Sequence, residues 1–402
     1  MAKTLLVLGN GFDLKCGLKT TVRDFFESAF YGEKRDACEA AIQYIHSNAP
    51  KYSIQPKTIT DLYELFGKLS FWDLFFSMQF FMEPEKHERY GYWFNLEERL
   101  KEFVLGAVGG SGIYKEIIDI EWPDITTYGI SKDRVYCLLL QLYLQKKSGS
   151  LRVGSETKGK LEYDSDALAL FLFEQLKDFE RCFGRYIEEQ QNQNVQYVGS
   201  AKKFIEELTK DHALVGIHTF NYTNLDEIVP NDCKIWHVNG DITNPIFGID
   251  FSMTDNPFDG KVTFSDLSSN SGKRWYRFSK TYRRLELEGN GEYYPTKYDF
   301  SRVVVFGHSM NKQDYNYFYA LFNRLGFRND RTTRNSYEVV FLYSPRGGLS
   351  KDEAKHRIID RALPLLQGYN NEILHEPNFR LMDILYGNGA IQFVEAPIIT
   401  LD

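Results

Sequence analysis

The sequence predicts an α/β fold: a Rossmann-like doubly wound parallel sheet with a large all-helical insertion after the first βα unit. An apolar run at residues 4–8 ends in Gly-Asn-Gly and is followed by an amphipathic segment. Short apolar runs alternate with helical spacing again after residue 210, which is typical of a parallel sheet covered by helices. The stretch between these two regions has long helical patterns and few strand signals.

Each predicted strand is a short apolar run that ends in glycine or in a polar cluster, as expected of strands buried on both faces. The predicted strands are 4–8, 213–220, 234–238, 302–306, 338–343 and 391–394. Helical spacing is clearest at about 165–192 and recurs at 315–325. We therefore assign residues 1–34 and 211–402 to a discontinuous Rossmann-like core and residues 35–210 to the helical insertion.

Charge and composition argue against a nucleic-acid-binding protein, a zinc-knuckle protein and a membrane protein. The 402 residues carry a formal net charge of −7, so we expect no direct binding to nucleic acid. The five cysteines are scattered without a CxxC pair, which is typical of reduced thiols in a cytosol and not of a zinc knuckle. No apolar run approaches the roughly 18 residues that a membrane helix needs. These features predict a cytoplasmic protein without a membrane partner.

Polar residues and glycines lie at the ends of four predicted strands. Ligands of open parallel sheets bind beyond the carboxyl ends of the strands, so these residues are candidates for one shared site. They are Gly9, Asn10, Gly11 and Asp13; His218, Thr219, Asn221, Asn224 and Asp226; His237, Asn239, Gly240 and Asp241; and Gly307, His308, Ser309 and Asp314. One polar strand end indicates a turn, whereas four indicate a site. Taken singly, each histidine is also explained as a half-buried residue that satisfies a hydrogen bond.

The Gly-Asn-Gly loop has two explanations. A phosphate can approach the backbone closely where Cβ atoms are missing, and a following helix supplies N–H donors. A tight turn needs the same residues, and the third glycine of the GxGxxG fingerprint is missing. Asp13 behind the loop can cap the helix, accept hydrogen bonds from ribose or bind a metal. If the loop cradles a phosphate, Gly11→Val is predicted to abolish nucleotide binding while the fold stays cooperative.

Five short blocks of sequence carry a resemblance to a known family. The blocks are 6–14 (LVLGNGFDL) with 17–20 (GLKT), Trp93 with Glu97, 220–223 (FNYT), 239–240 (NG) leading to 247–250 (FGID), and 307–309 (GHS) with Asp314. In this order they resemble the phage abortive-infection AbiH family. The resemblance implies bacterial defence against phage by arresting or killing the infected cell. Expression is then expected to stop growth, and Asp13→Ala to relieve it.

The same blocks resemble, more loosely, sirtuin-like NAD-consuming domains. This resemblance implies that NAD is bound, and that its N-glycosidic bond is hydrolysed. Asp13 or Asp226 then holds the ribose and Asn221 or Asn224 positions water, and the register that decides between them stays open. The residues expected to bind the nucleotide are Gly9, Asn10, Gly11, Asp13, Thr219, Asn239, Gly240, Gly307, His308, Ser309 and Asp314.

Asn239 departs from the sirtuin-like pattern, because those domains keep a catalytic histidine at this position. His237 lies two residues upstream and, with a strand period of two, on the same side. Its neutral imidazole can accept a proton near neutral pH, so His237 is the predicted general base. His237→Ala is then predicted to bind NAD and fail to cleave it.

Two other functions stay open, as does the oligomeric state. A metal-dependent phosphoesterase or nuclease could draw its ligands from Asp13, His237, Asp241, His308 and Asp314, although no HxH, HxxEH or DxD spacing supports it and no metal is predicted. A non-catalytic nucleotide sensor needs only the binding residues. The apolar stripe at 165–192 is either core or the seam of a homo-oligomer.

Overall fold

The computed structural model describes most of the chain. The described residues are 3–48, 56–82, 96–119, 132–147, 163–210, 212–250, 270–288, 300–327, 337–346, 348–375 and 381–398. Trp93 of the sequence blocks lies outside them.

Six strands form one parallel sheet in the order β3-β2-β1-β4-β5-β6. They are β1 (Lys3–Leu8), β2 (Ala213–Thr219), β3 (Lys234–His237), β4 (Arg302–Phe306), β5 (Glu338–Tyr343) and β6 (Ile391–Glu395). Each predicted strand is present to within one residue at either end, and the predicted α/β fold with a parallel sheet is confirmed. The strand order is compatible with a Rossmann-like fold, because dinucleotide-binding sheets use the same order.

The described residues between β1 and β2 form helices and no strand. These helices are α1 (Gly11–Lys15), α2 (Val22–Glu27), α3 (Gly32–Asn48), α4 (Pro56–Gly67), α5 (Phe71–Met82), α6 (Leu96–Gly109), α7 (Gly112–Asp119), α8 (Lys132–Lys147), α9 (Ser165–Gln193) and α10 (Tyr197–Leu208). The later helices are α11 (Asn270–Trp275), α12 (Lys280–Glu288), α13 (Tyr315–Arg324), α14 (Lys351–Gly368) and α15 (Leu381–Gly387). Among the described helices, none combines the length and apolar composition that crossing a bilayer requires.

The chain folds as two compact units. The sheet unit comprises Met1–Thr20, Ile187–Pro245 and Glu288–Asp402, and the helical unit comprises Thr21–Tyr186 and Ile246–Leu287. From the sequence we predict boundaries at residues 34 and 210 instead, with everything after residue 210 in the core.

Contacts within the helical unit explain its extent. Phe25 and Phe26 of α2 pack against Phe179 of α9, with ring centroids 5.9 Å and 6.3 Å apart. The N–H of Phe247 donates to Glu180 of the same helix at 2.7 Å. Segments that the sequence places in the core are therefore held by α9. Neither contact produces a periodic pattern along the chain, so the sequence alone does not indicate that these segments belong to the helical unit.

Alternation along β1 gives the sheet unit a core on each face of the sheet. Leu5 and Val7 lie in one apolar cluster with α13 and α14, whereas Leu6 and Leu8 lie in the other with α1 and α10. Successive side chains of a strand point to opposite faces, so one strand supplies both cores. Because packed helices cover both faces of the sheet, the carboxyl ends of its strands are where a ligand would be expected to bind.

Candidate functional site

The carboxyl ends of four strands lie at one level of the sheet. Leu8 at the end of β1 pairs with Thr219 of β2 and with Phe306 of β4, and Thr219 pairs with His237 of β3. The loops that follow these strands are therefore neighbours at a single edge.

The glycines after β1 pack directly against the backbone after β4. The N–H of Gly9 donates to the carbonyl of Phe306 at 3.0 Å, and the N–H of Gly11 donates to that of Gly307 at 2.8 Å. A Cβ on Gly9 would lie 2.5 Å from the Cα of His308, and one on Gly11 would lie 2.5 Å from the Cα of Gly307. Close packing of two backbones thus requires both glycines. Because their N–H groups are already hydrogen-bonded, a phosphate cradle at this loop stays a prediction.

Asn10, between the two glycines, holds the loop that follows α1. Its Nδ2 donates to the carbonyl of Thr20 at 3.2 Å, and its Oδ1 accepts from the hydroxyl of the same residue. Asn10 precedes α1 but its side chain forms no capping hydrogen bond with the helix. The amide therefore stabilises the loop conformation.

Asp13 is a buried carboxylate with two hydroxyl partners. Only 1% of its surface is exposed. Tyr197 at the start of α10 donates to Oδ1 at 2.7 Å, and Thr223 donates to both carboxylate oxygens at 3.2 Å. Its carboxylate therefore binds side chains and does not cap α1. Among the described residues, none forms an ion pair with Asp13.

Burial dominates the ionisation of Asp13. Desolvation of the charged form raises the pKa of this carboxyl from 3.8 to about 7, although the hydrogen bonds from Tyr197 and Thr223, and a smaller one from Asn221, lower it. A group with such a pKa exchanges its proton near neutral pH, which suits a general acid or base.

Tyr197→Phe should destabilise the protein more at pH 8 than at pH 5. Without the phenol, the pKa of Asp13 rises further, so the charged carboxylate at pH 8 loses a hydrogen bond worth about 1.5–3 kcal/mol. Urea unfolding at the two pH values measures the difference. Tyr369→Phe is the matched control, because this buried tyrosine donates to the neutral Asn323 at 2.9 Å. A loss that is equal at both pH values in Tyr197→Phe would mean that Asp13 does not ionise in this range.

Two buried asparagines follow β2 and β3. Asn221 is 4% exposed and its Nδ2 donates to the carbonyl of Gly9 at 3.1 Å. Asn239 is 8% exposed and its Nδ2 donates to the carbonyl of Phe220 at 3.4 Å. The Oδ1 atom of each side chain is buried and has no hydrogen-bond partner among the described residues. The loops after β1, β2 and β3 are thereby connected by two amides that each keep one free acceptor.

His308 after β4 is held by its own loop. Its Nδ1 accepts from the N–H of Met310 at 2.8 Å, which leaves the proton on Nε2, 3.4 Å from Oδ2 of Asp314. The ring also packs against Phe220, with centroids 4.1 Å apart. These contacts shape the β4 loop, and the backbone of His308 lies directly beside Gly9.

His237, Asn224 and Asp226 line a separate groove beside the edge strand β3, here called the edge groove, with a volume of about 690 Å³. Neither Asp13 nor Asn221 lines it. Its other lining residues are Glu188, Tyr222, Asn231, Asp232, Cys233, Lys234, Ile235, Asp241, Ile242 and Thr243. Acidic groups outnumber basic ones in this groove, which disfavours a negatively charged pyrophosphate.

The polar residues of the 220–226 segment differ in burial: Asn221 and Thr223 are buried, whereas Asn224 and Asp226 are exposed. Asn221 and Thr223 are buried against Gly9 and Asp13. Asn224 is exposed, and its Oδ1 accepts from the N–H of Asp226 at 2.8 Å within a local turn. The structure therefore brings Asn221, and not Asn224, to the Asp13 site.

The comparison with protein families decides the identity of the chain. The family model for bacteriophage abortive infection AbiH matches residues 5–336. The chain belongs to the AbiH family. Its membership supports an anti-phage role in abortive infection. No curated protein and no solved structure matches the chain, and the resemblance to sirtuin-like domains stays a hypothesis.

The AbiH match includes the ends of β1, β2, β3 and β4 and the whole span of the helical unit. In the helical unit, Glu97 forms an ion pair of 2.9 Å with Lys280, which is itself 3% exposed. Gly248 of the FGID block lies against Lys280, because a Cβ at this glycine would be 2.6 Å from its Cγ. Two of the blocks therefore meet at one buried lysine.

Sequence reasoning missed Tyr197 and gave Thr223 no role. Thr223 lies inside the FNYT block, so the resemblance of this block to the family could have marked Thr223 as a site residue. Tyr197 begins a helix far along the chain from Asp13, and no local pattern marks it.

The metal-dependent alternative named a set of ligands, and the structure does not bring these side chains together as a metal-binding group. Over the described part of the chain, no group of three or more His, Cys, Asp or Glu side chains is arranged to hold a metal ion. A metal-dependent phosphoesterase therefore has no observation in its favour.

Proposed function

We propose that this AbiH chain is an anti-phage effector that binds a nucleotide, NAD in our expectation, at the Asp13 site and hydrolyses its N-glycosidic bond. One observation carries the proposal. Asp13 is a buried carboxyl at the carboxyl edge of a parallel sheet, its pKa is raised to about 7 by burial, and no cation pairs with it in the described chain. Perturbed titratable groups at such positions are candidates for catalysis.

The reaction needs little more than a carboxylate and a placed water. The bond between C1′ of the ribose and the ring nitrogen breaks, and nicotinamide leaves with the electron pair. Water adds to C1′ and its proton passes to Asp13. A carboxylate beside C1′ also stabilises the positive charge that develops on the sugar, as in glycoside hydrolysis. Asn221 would position the water, since its Oδ1 has no partner in the described chain.

The residues fit the nucleoside part of the ligand better than its phosphates. Asp13, Asn221 and Asn239 all offer acceptors, which suit hydroxyl and amino groups. The N–H groups of Gly9 and Gly11 donate to backbone carbonyls, so the phosphates would need other donors. Cytoplasmic location and a homo-oligomer formed through the helical region remain expectations.

His237→Ala tests the alternative base and should leave NAD turnover close to wild type. His237 lines the edge groove, whereas Asp13 and Asn221 do not. Loss of a general base lowers turnover about 10²- to 10⁴-fold. Release of nicotinamide and calorimetric binding of NAD, both measured on the purified full chain, separate binding from cleavage.

Three results would change the proposal. A His237→Ala variant that binds NAD without cleaving it would make His237 the base, as the sequence predicts. Wild-type protein that binds NAD and releases no nicotinamide would leave a nucleotide sensor. Absence of NAD binding would contradict the proposed function.

A further inference from the structure

Arg346 lies in the loop that follows β5, at the same carboxyl edge of the sheet as the loops after β1 and β4. Leu342, the last but one residue of β5, pairs with Phe306 at the end of β4, so the two strands end within one residue of each other. The N–H of Leu349 donates to the carbonyl of Arg346 at 3.2 Å, which fixes the main chain at the arginine. Arg346 therefore lies at the edge where ligands of parallel sheets bind.

The guanidinium of Arg346 is half-buried and lacks a partner. Its Nη2 atom is shielded from solvent without a hydrogen-bond acceptor, and no carboxylate in the described part of the chain forms an ion pair with the group. Burial disfavours the charged form and lowers the pKa of Arg346. A buried donor without an acceptor costs free energy and is rare in folded proteins. The group is therefore suited to an acceptor that a ligand supplies.

Cys16 relates the position of Arg346 to that of Asp13. Cys16 follows α1, its N–H donates to the carbonyl of Asp13 at 3.1 Å, and it packs in the same apolar cluster as Leu342 of β5. The positive charge of Arg346 lowers the pKa of the Cys16 thiol and the negative charge of Asp13 raises it, so both charges act on this one side chain. Burial raises the pKa of Cys16 to about 12, so the thiol stays neutral and cannot pair with the guanidinium. Arg346 and Asp13 therefore both lie near Cys16.

We infer that Arg346 binds the phosphate groups of the nucleotide whose ribose lies at Asp13. A guanidinium presents several N–H donors in a fixed plane, and two of them match two oxygens of a phosphate. The N–H groups of Gly9 and Gly11 are already hydrogen-bonded to main-chain carbonyls, so the phosphates need a donor of this kind. The inference rests on the proposed function, because it requires a ligand that carries phosphates.

Arg346→Gln tests the inference by binding measurements on the purified full chain. The probes are NAD and ADP-ribose, which carry the same two phosphates, and ADP-ribose has no nicotinamide left to release. We expect the variant to bind both about 10- to 100-fold more weakly than wild type, because each loses charge-assisted hydrogen bonds. Arg346→Lys keeps the charge without the planar donor pair, and it should recover part of the affinity. Calorimetry measures all of these affinities.

A stability measurement separates this role from a structural one. Because the guanidinium is half-buried without a partner, ligand-free Arg346→Gln should unfold at the same urea concentration as wild type or at a higher one. Arg361→Gln is the matched control. Arg361 is also half-buried, and burial lowers its pKa, but it belongs to α14, which packs on the opposite face of the sheet from Cys16. The control should keep the wild-type affinity for both probes.

The outcomes distinguish the inference from the proposed function. Unchanged affinity of Arg346→Gln for both probes would overturn the inference and leave NAD hydrolysis standing. An equal loss in Arg361→Gln, or a loss of stability in ligand-free Arg346→Gln, would make the arginine structural and overturn it as well. Weakened binding in Arg346→Gln, together with wild-type protein that releases no nicotinamide, would support the phosphate contact and contradict hydrolysis. If wild-type protein binds neither probe, both proposals fail.

Discussion

Asp13→Asn should abolish the growth arrest that expression of the protein is expected to cause, and lower NAD turnover about 10²- to 10⁴-fold. The amide keeps the size of the carboxyl, and its oxygen still accepts from Tyr197. It cannot take a proton from water or stabilise positive charge on a ribose. Growth of expressing cells and release of nicotinamide by purified protein measure the two effects.

The same substitution should stabilise the fold at alkaline pH. Burial raises the pKa of Asp13 from 3.8 to about 7, so the folded state binds a proton that the unfolded state releases between these values. Wild-type stability therefore falls as the pH rises from about 4 to 7, by about 4 kcal/mol. Asp13→Asn removes this dependence. The variant should exceed wild type in urea unfolding at pH 8, and the excess should vanish near pH 4.

Two further variants define the result. Asp36→Asn, at an exposed carboxylate of the helical unit, should change neither turnover nor stability beyond about 0.5 kcal/mol. Asp226→Asn tests the other register of the 220–226 segment. If Asp226→Asn loses turnover and Asp13→Asn keeps it, Asp226 and not Asp13 contacts the ribose. Unchanged toxicity in a folded Asp13→Asn protein would reduce Asp13 to a structural carboxyl.

Gly307→Ala should destabilise the sheet unit by about 2–5 kcal/mol. Gly307 has φ of +72°, and a Cβ there would lie 2.5 Å from the backbone nitrogen of Phe12. A left-handed backbone costs an L-residue about 1–2 kcal/mol, and overpacking adds about 1–3 kcal/mol. Gly326→Ala isolates the first contribution, since Gly326 has φ of +76° and no atom within 4 Å of its Cβ position. Equal losses in urea unfolding would mean that the two loops are apart in solution.

The same contact changes the expectation for Gly11→Val. A Cβ at Gly11 would lie 2.5 Å from the Cα of Gly307, so a valine side chain has no space. The sequence predicts that this variant folds and loses nucleotide binding. From the structure we expect loss of the cooperative fold as well, and the variant cannot test phosphate binding by itself.

The strands were predictable and the partners of Asp13 were not. A strand buried on both faces is a continuous apolar run, and each run of the sheet is readable in the sequence alone. Tyr197 reaches Asp13 only because α10 packs on the face of the sheet that also carries α1. Such a contact depends on tertiary structure, which leaves no periodic signal.

For the glycines and histidine at the sheet edge, residue type alone predicted where the residue lies in the fold but not what it contacts there. From the sequence, Gly9, Gly11 and Gly307 are expected beside a ligand. They do lie at the sheet edge, but the lack of a Cβ at each is explained by the close packing of the two loops against each other. His308 was expected to bind a nucleotide, and its hydrogen bond to Met310 shapes its own loop. Glycine and histidine serve turns and ligands alike, so sequence could not separate the two.

The central position of β1 determines how late in translation the carboxyl edge of the sheet can be completed. β1 is translated first, yet its neighbours in the sheet are β2 and β4, and Gly307 after β4 packs on its glycine loop. At about 5–20 residues per second, roughly 15 to 60 s separate synthesis of the first strand from that of the fourth. A nascent chain on the ribosome therefore lacks the loop that packs on Gly9 and Gly11, just before Asp13, until β4 emerges. If the proposed function holds, a chain that stops before β4 should lack the loop that packs on Gly9 and Gly11, and should not release nicotinamide from NAD.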